Sequence, residues 1–225
     1  MATGAIFQKQ ILANIVQDES LVKQRFTNYE KLYKSKVDFI KTIKEEEYQD
    51  GFLRDIFVAC LGYKMSIDSP NDFNISREKK NQTDSKKADG AIWLNGDVIG
   101  VIELKDCKTK DLNAVEAQAF NYHNSHSNSK YIVISNFNKL RFYIDKKTEF
   151  EEFNLFELSY EEFVKLHLML SFESIKAAIP LSLKEHSITR EQNISKYLYK
   201  DFSAFRTNLF ENLLENNGHT PPNAY

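Results

Sequence analysis

Apolar residues recur at helical spacing through the first sixty positions of the chain. Between Gly4 and Gly51 the sequence contains no glycine or proline that would interrupt a helix. A helix is predicted over 45–60, because one stripe of apolar side chains repeats there every three or four residues. Gly62 follows directly and fits the left-handed residue that ends many helices. The segment 1–62 is therefore predicted to be helical.

The pattern changes to short apolar runs in the middle of the chain. Two runs, 88–94 and 98–105, are joined by Asn95-Gly96, a pair that favours the tight turn of a β-hairpin. The second run is apolar on both faces, as in a strand at the centre of a sheet. A short strand is predicted before the hairpin, near 73–76. After the hairpin come a predicted helix at 113–126 and predicted strands at 131–135, 140–144 and 153–156.

The order of these elements predicts an α/β fold, with a mixed central β-sheet flanked by helices. The strand that carries Glu103 would reach the strand at Tyr131 through a crossover helix, which makes this pair of strands parallel. The strands at 140–144 and 153–156 are predicted to lie outside that pair.

Helical periodicity returns after the last predicted strand. The segment 187–216 is predicted to form one long amphipathic helix, which a break at Pro180 separates from the preceding helix. Two parts are expected: residues 1–170 as one domain, with its sheet core at 63–157, and residues 171–225 as a helical connector.

Composition indicates an ordinary folded protein, with 42% hydrophobic and 28% charged residues. The net charge of −2 does not indicate a nucleic-acid binder, so positive charge that contacts DNA must be local. No apolar stretch approaches the roughly 20 residues of a membrane helix. Cys60 and Cys107 are too few for a disulfide framework and suit a reducing cytoplasm. The histidines lack zinc-site spacing, and His123 and His126 are expected on the surface.

Three charged residues are predicted to meet at one end of the hairpin. Asp89 and Glu103 lie 14 positions apart, near the start of one predicted strand and the end of the next. Folding at the turn places the region of Asp89 beside residues 102–104. Lys105 lies two positions after Glu103, so both side chains leave the same face of the strand.

Two carboxylates and an ammonium group suit the hydrolysis of a phosphodiester. Magnesium is held by one or two carboxylates together with water and phosphate oxygens, and a nearby cation can offset charge that develops at phosphorus. The alternative is that Glu103 and Lys105 form a solvated ion pair where the strand leaves the sheet. The hairpin spacing and the following helix favour the shared metal site.

The triplet Ala88-Asp89-Gly90 and the run 101–105 (Val-Ile-Glu-Leu-Lys) resemble the PD-(D/E)XK nuclease superfamily, although Ala88 replaces the proline of its motif. The resemblance implies a restriction-endonuclease-like fold. It also implies that Asp89 and Glu103, with the carbonyl of Leu104, bind Mg²⁺, for which Mn²⁺ can substitute. Lys105 would assist catalysis.

The resemblance extends to the helices on either side. The opening helix of such nucleases contributes an acid or an amide to the active centre, and Gln49, Glu46 or Glu47 could supply it here. The helix after the Glu-x-Lys strand resembles 116–122, which assigns Gln118 to the site. For each of these residues the alternative is a solvated helix face.

More specifically, the whole chain resembles the amino-terminal part of a Type IIG restriction–modification enzyme. Such enzymes join the nuclease, through a helical connector, to an adenine methyltransferase that uses S-adenosylmethionine and to a target-recognition domain. The run 194–209 is similar to the start of that connector, and methyltransferase motifs are absent from the sequence, so a fragment is expected. The resemblance implies double-stranded DNA as substrate, the other domains as partners in cis, and a transient dimer that cuts both strands.

Two other functions stay open. The chain could be a catalytically silent DNA-binding or docking module that keeps the nuclease fold, or a nuclease domain linked to a helicase motor. Basic clusters around the proposed nuclease site could contact DNA phosphates, and the alternative for each cluster is a solvated loop. These clusters are Lys79-Lys80, Lys86-Lys87, Lys105-Lys108-Lys110 and Lys139-Arg141.

Overall fold

The computed structural model of the protein describes residues 5–7, 12, 15–80 and 87–217, where a mixed β-sheet has helices before, within and after it. The helical elements are α1 (Glu19–Leu32), a 3-10 turn (Lys34–Lys36), α2 (Val37–Ile40), α3 (Glu45–Phe52), a π-helical turn (Leu53–Val58), α4 (Asn113–Asn124), α5 (Tyr160–Leu170), α6 (Phe172–Lys176) and α7 (Ile179–Asn217). The strands are β1 (Ile75–Lys80), β2 (Lys87–Leu94), β3 (Asp97–Leu104), β4 (Tyr131–Ser135), β5 (Lys139–Ile144) and β6 (Glu151–Asn154). The predicted α/β class with a mixed, helix-flanked sheet is confirmed.

The six strands follow one another across the sheet in sequence order, β1 to β6. All neighbouring pairs are antiparallel except β3 and β4, which are parallel and connected through α4. The predicted crossover is thus confirmed. Two predicted boundaries were wrong by two residues: β1 begins at Ile75 and β6 begins at Glu151. Strand β5 is interior, and β6 alone lies outside it.

A tight turn at Asn95 and Gly96 joins β2 to β3. Both residues have positive φ, 54° and 87°, which is the backbone of the hairpin turn that Asn-Gly favours. Beyond an irregularity near Trp93, the register pairs Gly90 with Ile102. The predicted hairpin and its approximate register are confirmed, and the start of β2 lies beside the end of β3.

Strand β3 is buried on both faces, as its apolar run predicted. Val101 packs in a cluster with Val115 and Ala119 of α4. Ile102 belongs to the larger cluster on the other side of the sheet, which includes side chains of α1, α3 and α5. Because helices cover both faces, any charged side chain on this strand lies in a poorly hydrated environment.

The amino-terminal region is helical but segmented. Helix α1 begins at an Asp18 cap, and the chain leaves helical conformation around 41–44 before α3. A π-helical turn then completes the predicted helix, and its stripe from Phe52 to Cys60 is buried. The prediction for residues 1–4, 8–11 and 13–14 lies outside the described residues.

A break separates α7 from the preceding helix as predicted, but it lies at Ala177 and Ala178. Helix α7 therefore begins at Ile179 rather than at residue 187, with Pro180 as its second residue. Proline is tolerated in the first turn of a helix, where its missing N–H has no intrahelical partner. The chain divides into two compact units, Met1–Leu183 and Lys184–Tyr225. In the second unit α7 exposes apolar side chains that include Ile194, Phe202 and Phe205. The role of 171–225 as a connector stays a prediction.

Among the described residues, no single helix is long and apolar enough to cross a membrane. One bent pair of helical segments, Tyr160–Lys176 with Ile179–Asn216, passes that test of length and composition together.

His123 and His126 are buried, so their predicted surface placement was wrong. The chain turns back directly after α4, where the N–H of Ser129 donates to the carbonyl of His126. The Ser129 hydroxyl also lies 2.8 Å from His123 Nδ1. This turn covers the C-terminal end of α4, which the sequence pattern predicted to be exposed to solvent.

Gly62 joins the amino-terminal helices to the rest of the fold in a left-handed conformation, with φ of 79°. A Cβ atom there would lie 2.1 Å from Arg25 Nη2. That guanidinium cannot move aside freely, because it pairs with both carboxylate oxygens of Glu173 and lies 2.7 Å from His167 Nε2. Gly62 is therefore required both for its φ and for the space it leaves.

Replacing Gly62 with alanine should lower the free energy of unfolding by roughly 2–4 kcal/mol, because backbone strain adds to the displacement of Arg25. The matched control is Gly96→Ala, since Gly96 has φ of 87° and open space around it. Strain alone should cost that variant about 1–2 kcal/mol. Urea denaturation of both variants measures the difference, and equal losses would contradict the role given to Arg25.

Candidate active site

The hairpin brings Asp89 and Glu103 together at one end of the sheet. Continuing the register of Gly90 with Ile102 by one position places Asp89 opposite Glu103. The backbone N–H of Leu104 donates to Asp89 Oδ2 at 2.7 Å, which fixes the Asp89 carboxylate against the end of β3. The two acids of the predicted site are therefore neighbours.

Glu103 is almost completely buried, with 1% of the residue exposed. Its Oε1 accepts two short hydrogen bonds, from Lys105 Nζ at 2.6 Å and from Gln118 Nε2 at 2.6 Å. Its Oε2 is buried and has no hydrogen-bond partner among the described residues. A buried carboxylate oxygen without a partner is costly, and such atoms are often ligands of an ion.

The ammonium group of Lys105 lies among three oxygen atoms. Besides Glu103 Oε1, it donates to the carbonyl of Leu104 at 2.8 Å and lies 3.5 Å from Glu45 Oε1. The backbone N–H of Lys105 donates to the carbonyl of Ser135 at 2.8 Å, which anchors the residue beyond the end of β3. Lys105 therefore faces the same side as Glu103, as its position two residues later predicted.

Helix α3 supplies Gln49 to the site. Gln49 is buried, and its Nε2 donates to Asp89 Oδ1 at 2.9 Å. Its Oε1 accepts from Arg77 Nη2 of β1 at 3.3 Å. Gln49 is one of the residues that the sequence proposed for this position, and the side chains of Glu46 and Glu47 are exposed instead.

Glu45 and Arg77 were missed by the sequence analysis. Glu45 Oε1 accepts from Gln49 Nε2 at 3.3 Å and lies beside Lys105. Its signal in the sequence was the spacing of four residues before Gln49, which places both side chains on one face of α3. Arg77 carried no comparable signal, because only the pairing of β1 with β2 brings it to Gln49.

Gln118 approaches the site from α4, on the face of the sheet opposite to the larger core. It donates to Glu103, and its Nε2 also lies 3.2 Å from the hydroxyl of Tyr122. Tyr122 is one helical turn further along and is itself mostly buried. The amide of Gln118 is thereby positioned to hold the Glu103 carboxylate in one orientation.

The electrostatics of the site oppose the ionisation of both acids. Burial, and then the negative charge of Asp89, raise the pKa of Glu103 to about 7, although the hydrogen bond from Lys105 acts in the opposite direction. Burial raises the pKa of Asp89 against the effect of the Leu104 N–H. Burial alone would lower the pKa of Lys105, but the hydrogen bond and charge of Glu103 outweigh it and raise that pKa. A cation bound beside these two carboxyl groups would favour their charged forms and lower both pKa values.

A divalent ion with oxygen ligands fits this donor set. Two carboxylates and the Leu104 carbonyl converge, and Glu103 Oε2 has no protein partner in the described structure. Within that same part of the chain, no cluster of three or more His, Cys, Asp or Glu side chains is suited to a metal. A two-carboxylate site agrees with magnesium, which keeps several of its waters, and does not suit structural zinc.

The basic clusters around the site differ in their surroundings. Lys139 and Arg141 both form ion pairs with Glu152, so their charge is largely neutralised within the sheet. Lys108 and Lys110 are exposed on the loop that follows β3. The side chains of Lys79-Lys80 and Lys86-Lys87 lie outside the described residues.

The chain matches one family model. The model described as Type I restriction enzyme R protein N terminus matches residues 3–151, more than half of the chain and the whole of the site. No curated protein matches. Among solved structures the chain is similar to a cryo-EM structure of a DrdV–DNA complex, with 14% sequence identity, 68% of this chain and 98% of that chain covered, and a TM-score of 0.40.

Glu103 should make the stability of the metal-free protein depend on pH. Between the ordinary value of 4.5 and about 7, the folded state retains a proton on Glu103 that the unfolded chain has released. The contribution of Glu103 to the free energy of unfolding therefore falls as the pH rises through this window. Glu103→Gln cannot ionise, so its melting temperature in EDTA should fall less than that of the wild type between pH 5 and pH 8, by several degrees.

The control is Glu30→Gln, which removes an exposed carboxylate on α1. This variant should reproduce the wild-type difference between the two pH values. If the melting temperature of Glu103→Gln fell between pH 5 and pH 8 by as much as that of the wild type, the raised pKa of Glu103 would be contradicted.

Proposed function

Because the chain belongs to the family of Type I restriction enzyme R protein N termini, we propose that it is a magnesium-dependent endonuclease domain of a restriction enzyme, which hydrolyses phosphodiester bonds of double-stranded DNA. The observation that carries this proposal is the pairing of the buried Glu103 with the partly buried Asp89 and with Lys105, where the start of β2 lies beside the end of β3. In particular, Glu103 Oε2 has no protein partner within the described residues, as expected for an oxygen that faces an ion.

Asp89, Glu103 and the carbonyl of Leu104 would hold the magnesium ion. When bound, this ion polarises the phosphate and lowers the pKa of a coordinated water. The backbone of Leu104 supports the assignment. Its N–H donates to the Asp89 carboxylate, and its carbonyl accepts from the Lys105 ammonium group. The residue between Glu103 and Lys105 thus contributes through its main chain, and its apolar side chain is buried in the core.

Lys105 would act on the reacting groups directly. An ammonium group beside the metal can orient the attacking water through a hydrogen bond and offset charge that develops on the phosphate oxygens. Gln118 and Gln49 are positioning residues in this proposal. Each donates an amide hydrogen to one of the two acids, at 2.6 Å to Glu103 and at 2.9 Å to Asp89. They keep the carboxylates in the orientation that a shared ion requires.

The proposal that the chain contacts DNA needs positive charge near the site, since the net charge is −2. Lys108 and Lys110 fit this role best, because both are exposed on the loop that continues from the Glu-x-Lys strand. Contacts from them to phosphates would position the duplex without reading its sequence. Lys139 and Arg141 are weaker candidates, because Glu152 already pairs with both.

The class of restriction enzyme is a finer proposal. The family description names a Type I enzyme, so it supports a restriction-enzyme component and leaves the Type IIG organisation, with methyltransferase and target-recognition domains in cis, as an expectation from sequence resemblance. S-adenosylmethionine would bind only in that methyltransferase part. The alternative is a nuclease linked to a helicase motor. A Walker-type phosphate loop or an adenine-methylation motif in the full protein would distinguish these two organisations.

Cleavage of supercoiled plasmid DNA in Mg²⁺ tests the nuclease assignment. Asp89→Asn, Glu103→Gln and Lys105→Met should each lose at least about a hundredfold in rate, because each removes a group that acts at the phosphate or holds its ion. Circular dichroism should show that the three variants stay folded.

The matched control is Lys31→Met, which removes an exposed positive charge on α1, outside the site, and should leave the rate nearly unchanged. Undiminished cleavage by Glu103→Gln would refute the site. A wild-type protein that binds DNA but does not cut it in Mg²⁺ or Mn²⁺ would instead favour the catalytically silent module.

A further inference from the structure

The ammonium group of Lys105 lies where a metal ion would be expected. It is 2.6 Å from Glu103 Oε1 and 2.8 Å from the carbonyl oxygen of Leu104. Both groups belong to the ligand set assigned above to magnesium. In this structure the lysine therefore serves as the internal cation of the site, and it offsets part of the charge on the buried Glu103 and the partly buried Asp89.

Glu103 Oε2 has no partner within the described residues, but Glu103 Oε1 and the Leu104 carbonyl both accept from the ammonium group, so an ion that binds Glu103 and Leu104 meets that group there. Glu103 has 1% of its surface exposed, and the Lys105 side chain has 22% exposed, so little water screens the two cations from each other. Like charges at contact distance in such surroundings repel one another strongly, because little water lies between them. Binding of the ion at Glu103 and Leu104 therefore requires the ammonium group to leave at least one of these oxygens.

Glu45 offers the displaced ammonium a second acceptor. Its Oε1 is already 3.5 Å from Lys105 Nζ, and its side chain is 30% exposed, so it lies on the solvent side of the cluster. Gln49 donates to the same oxygen at 3.3 Å and so fixes its position. The lysine stem has four flexible carbons, and a small rotation transfers its ammonium group from Glu103 towards Glu45.

We propose that Lys105 competes with the metal ion for the site, and that Glu45 is the positioning residue that receives the Lys105 ammonium group when the ion binds. This inference rests on the proposed metal site, and it adds that the protein's own lysine regulates the affinity of that site for the ion. Competition by the protein's own lysine weakens metal binding, and the same displacement brings the ammonium group beside the bound ion rather than into its place.

A double-mutant cycle on metal affinity tests this exchange. Calorimetric titration with Mg²⁺, and separately with Mn²⁺, is carried out on the wild type, Lys105→Met, Glu45→Gln and the double variant. Lys105→Met should bind either ion at least about tenfold more tightly, since the repulsion between cations is gone. Glu45→Gln should bind it severalfold more weakly, and this loss should disappear in the Lys105→Met background.

The cycle separates positioning from direct ligation. If Glu45 acted only by its charge or as a ligand, Glu45→Gln would weaken binding equally in both backgrounds, which would overturn its role as an acceptor for Lys105. Unchanged or weaker binding by Lys105→Met would overturn the competition. No binding in any of the four proteins would overturn the metal site itself, and with it the nuclease proposal.

Two measurements keep the comparison interpretable. Lys108→Met removes a nearby positive charge that does not touch the acids, so its affinity should stay within about twofold of the wild type. Thermal melts in EDTA and in Mg²⁺ measure binding without relying on the calorimetric signal. An ion that binds the folded state raises the melting temperature of the protein. That rise should be larger in Lys105→Met than in the wild type, and Lys105→Gln serves if the methionine variant does not fold.

Discussion

The main electrostatic constraint on this structure is a carboxylate buried in the central strand of the sheet. Glu103 follows four apolar residues on β3 and is almost inaccessible to water. Its charge must be compensated locally, since burial of an isolated carboxylate costs several kcal/mol. The compensation comes from the face of the sheet that α4 covers, through Lys105 at the strand end and Gln118 on α4.

The two carboxylate oxygens of Glu103 are compensated unequally. One oxygen of Glu103 receives two hydrogen bonds, and the other receives none from the described residues. Both oxygens of Asp89, in contrast, accept hydrogen bonds, from Gln49 and from Leu104. A structural ion-pair network would be expected to satisfy both acids alike. The asymmetry instead leaves one oxygen available to an ion, as expected of a site that trades stability for function.

Much of the fold and part of the site could be predicted from the sequence, because the strongest signals were local. Asn95-Gly96 specified the hairpin turn, and the hairpin alone determined that Asp89 and Glu103 are neighbours. The errors have two sources. The strand limits and the position of Arg77 depend on the pairing of separate strands, whereas the burial of the histidines depends on the turn that follows α4. On α3, Glu45 and Glu46 lie at equally plausible helical spacings from Gln49, and only the packing of the helix on the sheet distinguishes them.

The two-residue turn between β2 and β3 also affects how the chain folds. Hairpins close within about 1–10 μs, well before a parallel strand pair that waits for a crossover helix. The hairpin closes without help from α3 or α4, so it can bring the carboxylates of Asp89 and Glu103 together before either helix docks. Lys105 directly follows β3, so the same hairpin also brings in a cation that offsets part of their charge. This part of the site therefore depends on contacts that are local in the sequence.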